Sequence, residues 1–334
     1  MATSHNLSAG EQARGRSFIY AGLSRLFLEG VNEALVAFLR STPGLSAALP
    51  AEIDLEEAAA EHYQLFQRDI FPYESFFTQP SGLLGGEKAD ELLVFYEGIG
   101  YHPVTTAHNS DHLGLQLDAL AYLCAAEADA WEDVQPGEAR RMQNLQLRLL
   151  QEHLLCWFVP LQIALAQQET AVYTTAASLL VELLGDQYSR LTQTLLAPPV
   201  RFTLPEERNL LDDEKTGLKD IAEFLSKPAK SGVYLTHQQI KALALSLELP
   251  KGFGSRRQTL VNLLRTAVQY DALPVLTTRL ETIIAAWIDK YEQIRMTAPQ
   301  FAPFVQPWLD AAARSREMAR KIKNQASINI LPQR

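Results

Sequence analysis

Along most of the chain, apolar residues recur three and four positions apart, and no alternating apolar–polar run persists. This spacing predicts helices. Phe18, Ala21, Leu23, Leu26 and Phe27 mark one face of a helix from Ala9 to Leu28. A shorter helix from Asn32 to Leu39 is broken by Thr42-Pro43-Gly44. Asp54 with Glu57 three residues on reads as a capping box opening a helix to about Arg68. Further helices are predicted over Glu87 to Gly98, Glu138 to Trp157, Pro160 to Gln168 and Thr170 to Leu196. Between them lies the most regular stretch, Ala107 to Cys124. It begins polar, and Leu113, Leu117, Leu120 and Leu123 then trace a buried stripe. Ser110 reads as its N-cap and Asp111 as a first-turn carboxylate that suits the helix dipole.

The proline-rich run Ala197 to Pro205 interrupts the pattern, which resumes over Leu210 to Phe224, from Thr236, over Ser255 to Tyr270, Leu276 to Met296, and Pro303 to Lys323. The expected fold class is therefore all-α. A helical domain is expected over residues 1–200, with a smaller helical domain over 201–334.

Charge separates the same two parts. Residues 1–200 hold 10 Lys and Arg against 25 Asp and Glu, a balance of −15, whereas 201–334 hold 20 against 14, a balance of +6. An acidic first part argues against nucleic acid and favours a basic partner. In the second part, a helix, a glycine turn and a helix opening on Arg256-Arg257 are faintly like DNA-binding helical hairpins. A plain helical hairpin accounts for the same residues, and nucleic acid is disfavoured as a partner. No run approaches the ~18 apolar residues of a spanning helix, and the first residues carry no basic-then-apolar export signal. A cytoplasmic location is expected. Cys124 and Cys156 fall on apolar helix faces and read as buried free thiols.

The run Phe71 to Pro80 is different in kind. Pro72 and Pro80 forbid one continuous helix, and four aromatic rings in a connection must either plug the core or line a groove. His102, His108, Asp111 and His112 raise the possibility of a metal site, with His108 and His112 at i, i+4. No Glu follows the first His as zinc hydrolases require, and a helix starting at Ser110 would separate the pair, so no metal is expected. There is no Gly-x-Ser-x-Gly, phosphate-binding lysine loop or dinucleotide fingerprint. Catalytic residues, an enzymatic activity and a resident cofactor are accordingly not expected.

Three segments together resemble a known family. Asp111-His112-Leu113 followed by a leucine-striped helix resembles the central motif of the TorD/DmsD/NarJ chaperones, which mature bacterial molybdenum oxidoreductases. Arg68 to Phe77, with Pro72-Tyr73-Glu74-Ser75, resembles the family's upstream loop, and His153-Leu154 with Trp157 and Pro160 resembles its later helix. The family's Glu-Pro before Asp-His is replaced by His108-Asn109-Ser110. The resemblance covers about the first 200 residues. It implies a maturation chaperone that binds the twin-arginine leader, or the cofactor-free form, of a molybdenum enzyme until the cofactor is inserted. Alternatives are an assembly factor for a leaderless subunit and a regulator with a nucleic-acid-binding second domain. Under the chaperone reading, the peptide-binding residues would be Tyr73, Glu74, Ser75, Phe76, Tyr101, Asp111, His112, His153 and Trp157. In a purely structural reading, Asp111 caps the helix and His112 bonds the Tyr73–Ser75 loop.

Overall fold

The computed structural model describes residues 7–103, 105, 107–205, 210–213, 215–250 and 252–330. In chain order the helices are α1 (Ala9–Glu29), α2 (Glu33–Ser41), α3 (Leu45–Ala48), α4 (Leu55–Tyr63), α5 (Glu74–Thr78), α6 (Glu87–Ile99), α7 (Leu113–Glu132) and α8 (Pro136–Leu149). They continue as α9 (Leu155–Leu165), α10 (Ala171–Thr194), α11 (Leu218–Leu225), α12 (Pro228–Ser231), α13 (His237–Ser246), α14 (Arg256–Gln269), α15 (Leu273–Thr297) and α16 (Ala302–Ile330). The chain is all-α: among the described residues there is no strand, only an isolated antiparallel bridge between Tyr73 and His112.

The chain forms two compact units, and they are not simply consecutive. The first comprises 1–75, 84–158 and 165–200; the second comprises 76–83, 159–164 and 201–334. Residues 200 and 201 divide them where the charge balance changes sign, but two short stretches from the earlier part belong to the second unit.

In the first unit, α1 lies along α7, and α7 packs on α8. The leucine stripe is realised: Leu113, Leu117, Leu120 and Leu123 are all fully buried. Fully burying one such side chain is worth about 1.5–3 kcal/mol, so this face holds the helix in place. Gly114 permits the close approach of α1, since a Cβ there would stand 2.4 Å from Leu28 Cγ. A second polar layer crosses the bundle. The buried Glu127 carboxylate accepts from Gln143 Nε2 at 2.7 Å and Gln146 Nε2 at 2.9 Å, and pairs with Arg16 at 3.4 Å. In the second unit α15 and α16 form a long antiparallel pair, and α11, α13 and α14 pack together. Trp287, Tyr291 and Trp308 are buried there.

Several boundaries depart from the sequence expectation. The N-cap of α7 is His112, not Ser110: the ring Nδ1 accepts the Gly114 N–H at 3.0 Å. Ser110 instead donates its hydroxyl to the Ala89 carbonyl. Pro160 does not open a new helix but lies inside α9. Its missing N–H costs ~3 kcal/mol or more in a helix interior, and nearly every neighbour in α9 is buried apolar surface that offsets this. The helix expected from Leu210 to Phe224 is interrupted. A short 3₁₀ turn at Leu210–Asp212 is followed by Gly217, whose N–H is taken by Asp220 Oδ2 at 2.9 Å as α11 begins. Both cysteines are buried free thiols, and burial pushes the Cys124 thiol up to about 11.

Candidate functional site

Gly100 ends α6 as its C-cap, in a left-handed backbone conformation (φ 73°) that suits a residue with no Cβ. The α7 mouth is then tied to the upstream loop by paired backbone bonds. The Glu74 N–H reaches the Asp111 carbonyl at 3.0 Å, and the Leu113 N–H reaches the Pro72 carbonyl at 2.9 Å.

Side chains complete the tie. The Asp111 carboxylate, fully buried, accepts the Ser75 N–H at 2.9 Å, and the Ser75 hydroxyl accepts the Gly85 N–H at 2.9 Å. The two motif residues thus exchange the roles proposed for them in the structural reading: His112 caps the helix and Asp111 holds the loop. Asp111 Oδ1 is buried and has no hydrogen-bond partner among the described residues. Burial raises the Asp111 carboxyl above its usual value, against the lowering effect of the Ser75 bonds. Burial lowers the His112 imidazole well below 6.5, with His108 and His62 adding to the effect. A neutral ring is what the cap needs, because Nδ1 must be a bare acceptor.

Glu74 begins a chain of polar contacts through the core. Its carboxylate accepts Gln116 Nε2 at 2.9 Å and lies 3.2 Å from His153 Nδ1. Gln116 Oε1 in turn accepts the Trp157 indole N–H at 3.3 Å. Burial raises the Glu74 carboxyl, with the His153 bond opposing. The later segment His153–Trp157, the loop and the α7 mouth therefore meet on Gln116 and Glu74. Gln116 was not singled out in the sequence, although a glutamine within a leucine stripe is the signal that could have found it.

Tyr73 lies at the edge of this network, half-buried, with its hydroxyl 2.9 Å from His108 Nδ1 and its ring against His112. Burial pushes its phenol up to about 12. Tyr101 donates to Asp118 Oδ2 at 2.6 Å and packs on Tyr96. Eight of the nine residues expected to contact a peptide are buried; Tyr73 is the exception. In this structure they tie segments together, and one of them, His153, also lines an open cleft. Phe76 counts with the second unit, where it and Phe77 pack on Tyr234, and the Arg256 guanidinium lies 5.0 Å from the Phe76 ring centre and 4.4 Å from that of Tyr234. The four aromatics of the loop are thus divided between different surroundings.

In the His108–His112 pair, Nδ1 of His108 lies 2.9 Å from the Tyr73 hydroxyl and Nδ1 of His112 accepts the Gly114 N–H at 3.0 Å. Among the described residues, no group of three or more His, Cys, Asp or Glu side chains could hold a metal ion. No described helix is long and apolar enough to cross a membrane.

An open cleft of about 770 Å³ lies beside the network in the first unit. Glu87, Lys88, Asp90, Glu91 and Val94 of α6 line one side, and Arg148, Glu152 and His153 line the other. Nothing in the sequence motifs pointed to it.

Residues 26–162 match the family model described as nitrate reductase delta subunit, which supports the resemblance of this part of the chain to the NarJ/TorD-type chaperones. Its members are assembly factors for molybdenum enzymes rather than enzymes themselves. No curated protein and no solved structure matches the chain.

Proposed function

We propose that this protein is a cytoplasmic maturation chaperone. It would bind the twin-arginine leader, the cofactor-free form, or both, of a molybdenum oxidoreductase catalytic subunit and release it once the cofactor is in place. The observation that carries the reading is the junction of the three motif segments on Asp111, Glu74 and Gln116. It lies within the stretch that matches the family. On this reading the nine motif residues shape and stiffen the client-binding face. Contact by Asp111 or His112 themselves would require the Tyr73–Ser75 loop to lift.

A second reading is favoured by the description of the matching family, which is that of a nitrate reductase subunit. The client would then carry no leader, and the chaperone would hold the folded-but-empty subunit instead. One experiment addresses both readings. The tagged chain is purified from its native cells during molybdenum-dependent respiration, and whatever comes with it is identified by mass spectrometry and assayed for molybdenum. Recovery of a catalytic subunit lacking cofactor is expected, and deletion of that subunit's leader separates the two readings. Recovery of cofactor-loaded enzyme alone, or of no molybdenum enzyme, would overturn the proposal.

A further inference from the structure

We propose that the second unit is a latch on the motif loop. Tyr234 and Arg256 hold Phe76 and Phe77, and one turn of helix passes that hold back to Ser75, so that Asp111 and His112 stay covered until the latch lets go. This rests on the chaperone reading for what the uncovered residues would meet, and on the structure alone for the latch.

The first observation is the path of α5. This helix spans only Glu74–Thr78, yet Glu74 and Ser75 belong to the first unit and the residues from Phe76 on to the second. Its first two residues are fixed at the α7 mouth: the Glu74 N–H reaches the Asp111 carbonyl, and the Ser75 N–H reaches the Asp111 carboxylate. Glu74 and Phe77 are three residues apart, hence neighbours on one helical face. A single turn closed by backbone bonds moves as a body. Lifting Ser75 therefore drags Phe76 and Phe77 with it.

The second observation is how those rings are held. Both are buried. Phe77 stacks on Tyr234 with ring centres 5.4 Å apart and planes 27° apart, and Phe76 leans on the same ring at 5.7 Å. The Arg256 guanidinium lies over Phe76 and Tyr234 and is itself fixed by the carbonyls of Ser226 and Leu235. Farther along, Gly82 (φ 63°) passes so near Lys227 that a Cβ would stand 3.2 Å from Lys227 Cγ. The excursion closes behind itself, since the Gly85 N–H, back in the first unit, donates to Ser75 Oγ at 2.9 Å. Residues 76–83 thus form a handle. Its two ends are pinned together in one unit and its middle belongs to the other.

The later motif helix repeats the pattern. In α9, residues 155–158 belong to the first unit and 159–164 to the second. Trp157, on the first side, donates to Gln116, and Val159, Leu161 and Ile163 just beyond it are buried. Two of the three motif segments therefore run into the second unit with no break in their helices. The lifted form of the loop is then a minor state, and a client that needs it binds more weakly in proportion to its rarity. Loosening the latch raises the lifted fraction and the apparent affinity by the same factor.

Hydrogen exchange on the intact chain, with no client present, tests the latch. The comparison is wild type against R256A and F77L, with R257A as the neighbouring control, since the exposed Arg257 pairs with Glu223 instead. In R256A the amides of Ser75 and Gly85 should exchange about 2- to 30-fold faster, the ratio set by losing a cation–π contact. The amides of Leu120 and Trp287 should keep their protection, which shows both units folded. F77L keeps apolar volume but loses the stack; it should act in the same direction, and it serves if R256A does not fold. R257A should leave Ser75 and Gly85 as in wild type. Unchanged exchange of these two amides in the folded variants, or an equal rise in R257A, would overturn the latch. Capture of a molybdenum enzyme from native cells by wild type tests the chaperone reading separately. Faster Ser75 exchange with no such enzyme captured would keep the latch and sink the chaperone. Unchanged exchange with that enzyme captured would do the reverse.

Discussion

Replacing Asp111 by Ala and by Asn separates the two things its carboxylate does. The side chain is fully buried and holds the Ser75 N–H at 2.9 Å. Alanine leaves that N–H without an acceptor inside the protein, a cost of about 1–3 kcal/mol, in addition to the net ~0.5–1.5 kcal/mol of the lost bond. Asparagine keeps an acceptor of the same shape and removes a charge whose burial is unfavourable, as the raised carboxyl indicates. D111A should therefore lose about 2–4 kcal/mol and D111N about 1 kcal/mol or less. Because the chain has two units, bulk unfolding curves can contain two transitions. Urea denaturation is best paired with hydrogen exchange read at the Ser75 amide. That amide should exchange much faster in D111A and remain protected in D111N. Equal destabilisation by the two substitutions, or an unaltered Ser75 amide in D111A, would show that this bond does not hold the loop.

Glu74 is raised by burial, so its contribution to stability is fully present below its unfolded value near 4.5 and is lost as pH rises through the folded one. E74Q should flatten the decline of melting temperature above that point; a pH series of calorimetric melts would show it. His112 has the opposite sign: its folded value is depressed, so its contribution is present above about 6.5 and lost as pH falls through the folded value. In the same series H112N, which can still cap, should soften the acid-side loss, and an unchanged acid limb would contradict the cap. L117A should cost about 2–5 kcal/mol in chemical denaturation, because the site is fully closed. R256A removes a guanidinium held over Phe76 and Tyr234 and should cost about 0.5–2 kcal/mol in the second unit, followed by the tryptophan fluorescence of Trp287 and Trp308.

The helical faces were legible because burial of leucine every third or fourth residue leaves a one-dimensional trace. The α7 stripe needed nothing beyond its own sequence. The mouth of α7 was not legible in this way. Ser110, Asp111 and His112 can each cap a helix, and which one does depends on groups far along the chain. The Ala89 carbonyl draws Ser110, the Ser75 amide draws Asp111, and His112 is left to cap. Local preference favours Ser and Asp, and tertiary bonds overrode it. The same holds for the aromatic loop. Adjacent residues Ser75 and Phe76 belong to different units, a division that no local pattern encodes. The cleft was invisible for a simpler reason: its two sides lie some 60 residues apart and carry ordinary surface charges.

One local feature sets the direction in which His153 points. Residues Leu150–Leu154 form a wide turn bonded five residues apart, between the α-helical stretches α8 and α9. Such a turn accommodates one residue more than an α-helix would. Each residue rotates a helix by roughly 100°, so the faces of α8 and α9 are out of phase by about that angle. The extra residue is what allows Gln146 to face Glu127 while, further along, His153 faces Glu74 and Trp157 faces Gln116. Removing a single residue from this turn would let the helix run on without interruption. Every side chain beyond it would then swing about a quarter-turn around the axis, and the ring in the cleft wall would go with them. Length at this point is therefore as constrained as residue type, and an insertion or deletion here should disrupt the site more than most substitutions within it.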